Sequence, residues 1–354
     1  MLEIRSWGVA VLVRPVLAGS AFSQLGLLSM YKTFFNLKRN PFDLTPDPLF
    51  LFPTRPHNEA LAALYYGVRR HKGFVVLTGE VGTGKTLLLR CLLNLLKQSN
   101  DVAYAYVFNS RLSAPEFLQY MVSDFGLPAS GKNKSELLLM LCNYVVSRGQ
   151  KKLTTALIVD EAHHLSADVL EEIRLLTNLE TTNDKLLQIL LVGQPELNQK
   201  LDSVRLRQLK QRIALRSHLQ PLDPGQTKEY VEWRLHSAGA NSSATTLFPA
   251  QTIAAVYRHS RGFPRLINTI CENALIAAYA KQMRWVSPEI VHDIADDFRL
   301  EIVQPAEVER GEEINETDVK RATETLLGLY ALLHKPRAHD AEIHARMVAG
   351  VPQA

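Results

Sequence analysis

Cysteine is scarce in this sequence. The 354 residues include three, Cys91, Cys142 and Cys271, which lie far apart and form no Cys-x-x-Cys pair. A disulfide framework is therefore excluded, and each cysteine falls in an apolar stretch with helical character. We interpret all three as buried free thiols of a protein in a reducing compartment.

Long apolar runs and a strong excess of one charge are also missing. The best candidate for a membrane span, residues 8–29, is interrupted by Arg14-Pro15 and falls short of the ~20 apolar residues that a span needs. The net charge is only +4, which by itself does not indicate nucleic-acid binding. Hydrophobic residues make up 46% of the chain, enough for one large domain or two of ordinary size.

Strand and helix patterns alternate through the first part of the chain. Apolar segments typical of strands occur near 73–78, 102–108, 155–160, 186–192 and 214–219. Helical periodicity separates them, near 58–70, 85–97, 113–125, 135–147, 167–178 and 203–212. Strands separated by helices predict a parallel sheet covered by helices on both faces.

After Pro224 the strand patterns stop. Helices are predicted near 226–238, 249–260, 264–281 and 287–298, so residues 223–300 form a separate small helical domain in this interpretation. Residues 31–57 are rich in aromatics and proline and are predicted to be an extended arm that packs on the sheet domain, residues 31–222.

The two ends of the chain have different compositions. We interpret residues 1–30 as a disordered or mis-assigned extension, with Met30 as a possible true start. Residues 301–354 comprise an acidic linker, one helix near 316–334 and a flexible tail. That last helix carries an apolar side that is expected to dock back on the body of the protein.

A glycine-rich loop follows the first strand. Residues 79–86 match the pattern G-x-x-x-x-G-K-[ST] in full. Glycines let successive N–H groups point at phosphate oxygens, and the following helix adds its positive end. The lysine can reach the β- and γ-phosphates and the threonine hydroxyl can bind magnesium. The alternative is a strand-to-helix turn without a binding function, but the flanking strand and leucine-rich helix favour a nucleotide site. The predicted nucleotide-binding residues are Gly79, Glu80, Val81, Gly82, Thr83, Gly84, Lys85, Thr86 and Leu87.

A second acidic motif ends the strand near 155–160. Asp160 and Glu161 follow an apolar run, at the sheet edge where ligands bind in parallel α/β folds. Asp160 is predicted to hold the magnesium shell together with Thr86, and Glu161 to act as general base toward water. Two solvated acids at a strand end are the alternative. We interpret His163 and His164 as surface residues at the entry of a helix; the alternative is that either of them contacts the water or the magnesium.

Three further positions are candidates for catalysis. Gln194 follows the strand near 186–192 and is predicted to lie between the two phosphate-binding strand ends, where it could orient water or γ-phosphate. Its alternative is a turn residue that bonds its own backbone. Arg212, with Arg207 second, is the candidate arginine presented to a neighbouring subunit's ATP. The alternatives for this basic stretch are a nucleic-acid patch and a solvated helix. Arg265 could reach the γ-phosphate from the small helical domain; its alternative is a surface arginine at a helix start.

These residues together resemble a known family. The run from about 31 to 300 is similar to the AAA+ ATPases of the general secretion pathway protein A (ExeA) type, whose relatives serve pilus biogenesis and DNA transposition. The resemblance rests on residues 40–42 with Asp47, and on 57–61, 79–86, 159–162, 177–180, 192–197, 208–212 and 262–268.

The resemblance implies a P-loop NTPase (AAA+) fold with a helical lid domain, and an oligomeric, Mg²⁺-dependent ATPase, a ring or a filament. It implies sensor and arginine-finger roles for Gln194, Arg265 and Arg212, and it brings His57 to the border of the adenine. Long members continue into a membrane span and a peptidoglycan-binding domain. This sequence is more similar to short cytoplasmic members, with peripheral attachment at the inner membrane as an alternative location.

Three functions follow from the resemblance. The first is an assembly motor or switch for a secretion, pilus or envelope complex, with a protein partner in that machinery. The second is an ATP-dependent DNA-binding helper of a transposase-like partner. The third is a nucleotide switch without hydrolysis, which Glu161 disfavours because a switch needs no base. The small net charge favours the first over the second.

Overall fold

A computed structural model of the chain describes residues 31–108, 111–182, 184–240 and 244–300. The predictions for residues 1–30 and 301–354 lie outside the described residues. Within the described ranges, no helix combines the length and the apolar character that a membrane crossing requires.

A five-stranded parallel sheet forms the centre of the larger domain. Its strands are β1 Phe74–Gly79, β2 Val102–Val107, β3 Thr154–Val159, β4 Leu187–Gly193 and β5 Leu215–Leu219. They are ordered β2-β3-β4-β1-β5, and every pairing is parallel. The three central strands are buried along their whole length, which explains why their sequences are continuous apolar runs rather than alternating ones. The predicted α/β P-loop fold class is confirmed.

Alternate residues of the strands enter two separate cores. Val76, Leu157 and Ile189 contribute to one core, while Val75 and Ile158 contribute to the other, as the two-residue period of a strand requires. Helices α1 Arg55–Arg69 and α2 Lys85–Lys97 cover the second face. The first face is covered by α3 Ala114–Asp124, α4 Lys134–Gln150, α5 Ala167–Leu176, α6 Glu196–Leu201 and α7 Arg207–Lys210.

Two of the predicted helices have different bounds in the structure. Helix α1 begins at Arg55 rather than near 58, because the Thr54 side chain accepts a hydrogen bond from the His57 N–H and caps the helix. The helix predicted over 203–212 is instead a 3₁₀ turn, Val204–Leu206, followed by α7. Leu206 and Leu209 both enter the core.

The second domain is helical in its described part, as predicted. It contains α8 Pro224–Ser237, α9 Ala244–Leu247, α10 Ala250–Ser260, α11 Pro264–Ala280 and α12 Pro288–Asp297. Asp223 and Gln226 form a capping box at the start of α8, with Pro224 in its first turn. This reciprocal cap separates the helical domain from β5.

The aromatic side chains of the arm pack on the helical domain, whereas Leu51 and the carbonyl oxygen of Pro46 contact the sheet domain. Tyr31, Phe42 and Phe50 share one core with Ile267 and Leu275 of α11. The expectation that these aromatics pack on the sheet domain was therefore wrong. The arm also contains regular structure, with residues 31–34 helical and a 3₁₀ turn over Pro48–Phe50 that Asp47 caps. Because the arm runs directly into α1, it connects the helical domain to the glycine-rich loop.

Candidate active site

The glycine-rich loop lies between β1 and α2, at the carboxyl edge of the sheet. Gly82 and Gly84 have φ angles of 83° and 101°, a backbone region that residues with a Cβ rarely adopt. A Cβ added at Gly84 would lie 3.2 Å from Nε2 of His57. The loop therefore requires glycine both for its curvature and for the close approach of α1.

Lys85 is folded back on this loop. Its Nζ donates hydrogen bonds to the carbonyl oxygens of Gly79, at 2.7 Å, and Glu80, at 2.9 Å. The residue is only 6% exposed. Burial lowers the pKa of the Lys85 ammonium, while the negative charges of Glu161 and Asp160 act in the opposite direction. Lys85 thus begins the helix that follows β1, and both acids follow β3 at the same edge of the sheet.

His57 connects α1 to the loop. Its Nε2 lies 2.9 Å from the carbonyl oxygen of Thr83, and its Nδ1 lies 2.6 Å from the hydroxyl of Thr54. Burial lowers the pKa of His57, and the hydrogen bond to Thr83 partly offsets this effect. A neutral ring that donates from Nε2 and accepts at Nδ1 satisfies both contacts. His57 supports the loop from below, and its predicted proximity to the adenine stays a prediction.

Asp160 lies at the tip of β3 and is buried. Its two oxygens accept hydrogen bonds from the Glu161 N–H, at 2.9 Å, and from the Tyr106 hydroxyl, at 3.1 Å. Burial raises the pKa of Asp160, and these bonds act against the increase. Sequence analysis missed Tyr106. The sequence feature that could have indicated it is a tyrosine near the end of β2, the strand that pairs with β3.

Glu161 has an unusual backbone conformation. Its φ angle is 49°, a left-handed conformation that costs a non-glycine residue about 1–2 kcal/mol. The side chain is 43% exposed, yet its Oε2 atom is buried and accepts no hydrogen bond from the described residues. A strained residue of this kind persists only where the surrounding structure holds it in place, and such residues are concentrated at functional sites. Glu161 is therefore a side chain with an unsatisfied oxygen at the same sheet edge as Lys85.

The two histidines after Glu161 differ from each other. His164 is exposed, as predicted, but His163 is only 8% exposed, so its interpretation as a surface residue was wrong. Its ring packs against the end of β4, where Nε2 lies 2.9 Å from Nε2 of Gln194. The Gln194 side chain thus contacts a neighbouring segment, and β4 lies between β3 and β1 as expected.

Arg265 lies over the loop from the helical domain. Its N–H donates to the carbonyl oxygen of Gly82, at 3.2 Å, and its own Cβ would be 2.9 Å from a Cβ added at Gly82. The Arg265 side chain is exposed. The first turn of α11 therefore touches the glycine-rich loop directly, and the structure brings Arg265 to the same site as Lys85.

Arg212 is not brought to this site. It precedes β5, whereas the loop and the acids follow β1 and β3, so Arg212 lies toward the opposite edge of the sheet. Its Nη1 donates to Oδ1 of Asn178, at 2.6 Å, and to Oγ1 of Thr177, just after α5. Such contacts favour an arginine at a helix carboxyl end. Any catalytic role of Arg212 must therefore be exerted on another subunit.

The donor set fits magnesium bound together with a nucleotide. The described residues contain no group of three or more His, Cys, Asp and Glu side chains that could hold a metal on their own. Mg²⁺ is usually held by one or two protein oxygens together with phosphate oxygens and water. The Thr86 hydroxyl after β1 and the Asp160 carboxylate after β3 provide such oxygens at the same edge of the sheet. The residues thus fit a metal that arrives with the phosphates.

Comparisons with known proteins identify the family of this chain. A family model described as an AAA domain matches residues 68–201. General secretion pathway protein A of Aeromonas hydrophila is 43% identical over 264 residues, which is 74% of this chain and 47% of that protein. The chain therefore spans about half the length of this curated relative.

Solved structures support the same fold. The ORC2 protein of Aeropyrum pernix has a TM-score of 0.55 and 20% identity, covering 73% of this chain and 72% of that one. Cdc6p of Pyrobaculum aerophilum has a TM-score of 0.54 and 20% identity, covering 75% of this chain and 70% of that one. At this identity the likeness shows the fold alone.

Fold and site together define an AAA-type P-loop protein. The sequence similarity then specifies the kind. The chain belongs to the AAA ATPases of the general secretion pathway protein A type.

Proposed function

We propose that this chain binds ATP with Mg²⁺ and hydrolyses it, and that it acts as an assembly motor or switch for a secretion, pilus or envelope complex. The proposal is carried by one observation: the carboxyl ends of β1 and β3 place the glycine-rich loop with its buried Lys85 and the Asp160–Glu161 pair at one edge of the sheet. Phosphoryl transfer to water requires a lysine-bearing phosphate loop and an acidic pair. Here both lie at the same edge of the sheet.

Each residue then has a distinct task. N–H groups of the loop and the Lys85 ammonium bind the β- and γ-phosphates. Thr86 and Asp160 hold Mg²⁺, which neutralises charge on the phosphates when it is bound. Glu161 accepts a proton from the attacking water through its unsatisfied oxygen. Gln194 orients that water or the γ-phosphate, and Arg265 couples the γ-phosphate to the helical domain.

The role in assembly rests on the relative. General secretion pathway protein A carries the secretion pathway in its name, and the matched region covers 74% of this chain. The position of Arg265 on the loop gives a physical route, because a change at the γ-phosphate would move α11 and the arm packed on it. The proposed working form is a homo-oligomer, a ring or filament, in the cytoplasm or peripheral at the inner membrane.

Mixing two inactive variants tests the oligomeric mechanism. Arg212→Ala leaves the nucleotide site intact and should lower ATP turnover by at least about 10-fold if the arginine acts on a neighbour's ATP. Lys85→Ala should be inactive but keeps Arg212. Mixed in equal amounts, the two proteins should recover turnover above the sum of the separate rates, measured as steady-state phosphate release.

The control for this experiment is Arg216→Ala, which removes an exposed arginine from β5 and should keep wild-type turnover. Because Arg212 also contacts residues after α5, thermal melting of Arg212→Ala reports any loss of stability. If Arg212→Ala has low turnover and mixing restores nothing, its role is structural. The same mixing with Arg207→Ala tests the second candidate, whose side chain is exposed beside Val204 and Lys210.

DNA binding remains the second candidate function, because five basic residues occur within residues 205–216. The structure weakens this reading. Arg205 pairs with Asp168 at 2.6 Å and Lys210 with Asp202 at 2.7 Å, so part of the positive charge is neutralised within the chain. ATP-dependent DNA binding that falls steeply with salt would favour the transposase-type helper.

A further inference from the structure

A short 3₁₀ helix, Ala162–His164, follows Glu161 and packs on the tip of β4. A Cβ added at Gly193 would lie 3.0 Å from the backbone nitrogen of His163, so a larger residue would push the two segments apart by a few tenths of an ångström. Lys200 Nζ donates to the carbonyl oxygens of His163 and, at 3.0 Å, of Leu165. The backbone of His163 is thus fixed from both sides.

The ring of His163 lies between two side chains that the proposed reaction uses. Its Nε2 is 2.9 Å from the side-chain amide of Gln194. Its Nδ1 is 3.4 Å from the Gln194 N–H and 3.3 Å from Oε2 of Glu161. The last contact is close but lacks the alignment of a hydrogen bond, which is why Oε2 stays unsatisfied. One buried imidazole therefore touches both the proposed base and the polar residue on the adjacent strand.

The chemistry of imidazole gives this arrangement two states. A neutral ring has one donor and one acceptor nitrogen, but Nδ1 faces both a donor, the Gln194 N–H, and an acceptor, the Glu161 carboxylate. With its proton on Nε2, the ring bonds Gln194 through both nitrogens, provided that the Gln194 amide presents its oxygen. With its proton on Nδ1, the ring can donate to Glu161 while Nε2 accepts from the Gln194 amide. Nδ1 can satisfy only one of its two neighbours at a time.

We propose that His163 is a positioning residue that couples Gln194 to Glu161. This proposal rests on the proposed ATPase function of the same site. A change in the contacts of Gln194 at the tip of β4 changes which partner Nδ1 bonds, and that partner sets the orientation of the Glu161 carboxylate. In this proposal His163 acts through Glu161 and Gln194 rather than directly on the phosphates or the water. Its removal should impair turnover and leave nucleotide binding intact.

Two matched substitutions test the proposal. His163→Phe and His164→Phe each replace an imidazole by a phenyl ring, at adjacent positions whose ring centroids lie 3.9 Å apart with their planes tilted by 41°. We expect His163→Phe to lower kcat about 10–100-fold, because Glu161 loses its orientation, with KM and ATP affinity within about 3-fold of wild type. His164→Phe should behave as wild type. His163→Asn, whose amide reaches the position of Nδ1 and can donate to Glu161, should recover part of the loss.

A double substitution separates coupling from local packing. If His163 and Gln194 act as a unit, His163→Phe combined with Gln194→Ala should lose no more turnover than the worse single variant. Losses that multiply would overturn the proposal, as would wild-type kcat in His163→Phe.

NMR of the His163 ring tests the coupling without a measurement of ATP turnover. The ¹⁵N signals of the His163 ring, assigned from their loss in His163→Asn, should shift in both Gln194→Ala and Glu161→Gln. They should stay in place in Asp168→Asn, an exposed acid after the same strand. Signals that ignore both substitutions would refute the link. Absence of ATP hydrolysis by the wild type would refute the proposed function instead, and the NMR result would still decide the coupling.

Discussion

Glu161→Gln should bind ATP and hardly hydrolyse it. The substitution keeps the shape of the side chain but removes the carboxylate that accepts a proton from water. General-base catalysis of this kind contributes about 10²–10⁴-fold, so kcat should fall by that factor while ATP affinity stays near the wild-type value. Steady-state phosphate release and equilibrium binding of a fluorescent ATP analogue measure the two quantities.

Asp168→Asn is the matched control for this variant. Asp168 also follows β3, but its side chain is 73% exposed and pairs with an exposed arginine, an interaction of little energetic value. The control should keep wild-type turnover. If Glu161→Gln also turned over at the wild-type rate, Glu161 would have no role as base and its strained backbone would need another explanation.

Lys85→Ala should lose affinity for ATP. The Lys85 ammonium is buried beside the loop carbonyls, where phosphate oxygens would replace those carbonyls as its partners. A charge-assisted hydrogen bond contributes about 1.5–3 kcal/mol, and two such bonds correspond to a loss of at least about 100-fold in affinity. Titration with the fluorescent ATP analogue measures the loss directly.

Lys97→Ala provides the comparison, because Lys97 is exposed and ends the same helix that Lys85 begins. It removes the same charge from the far end of α2 and should bind ATP as the wild type does. Wild-type affinity in Lys85→Ala would mean that the glycine-rich loop does not bind phosphate through this lysine.

Local sequence patterns predicted the sheet well and the long-range packing poorly. The central strands β1, β3 and β4 were recognisable because strands buried on both faces read as continuous apolar runs. The arm was harder to place. Its aromatics indicate a buried surface, but nothing in residues 31–57 indicates that the partner is α11, more than 200 residues away. Periodicity identifies a buried face and not the element that covers it.

The site residues also divide into those that belong to local sequence motifs and those that depend on contacts between distant segments. The loop and the acidic pair were found from sequence because each is a contiguous motif with its own chemistry. The sequence predicts His163 to be a surface residue at the entry of a helix, and the structure buries it. Its burial depends on the contact with Gly193 of another strand. Tyr106 was missed for a related reason, since its role arises from the pairing of β2 with β3.

The central claim is that two strand tips bring a lysine-bearing loop and an acidic pair around one Mg–nucleotide. Its most direct test is the effect of Mg²⁺ on ATP affinity in the wild type and in Asp160→Asn, measured with the fluorescent analogue in magnesium and in EDTA. The account predicts that Mg²⁺ strengthens wild-type binding by about 10-fold or more and that Asp160→Asn loses this gain, because one of the oxygens that hold the metal is gone. An identical response to Mg²⁺ in both proteins, or a wild type that ignores ATP, would contradict it.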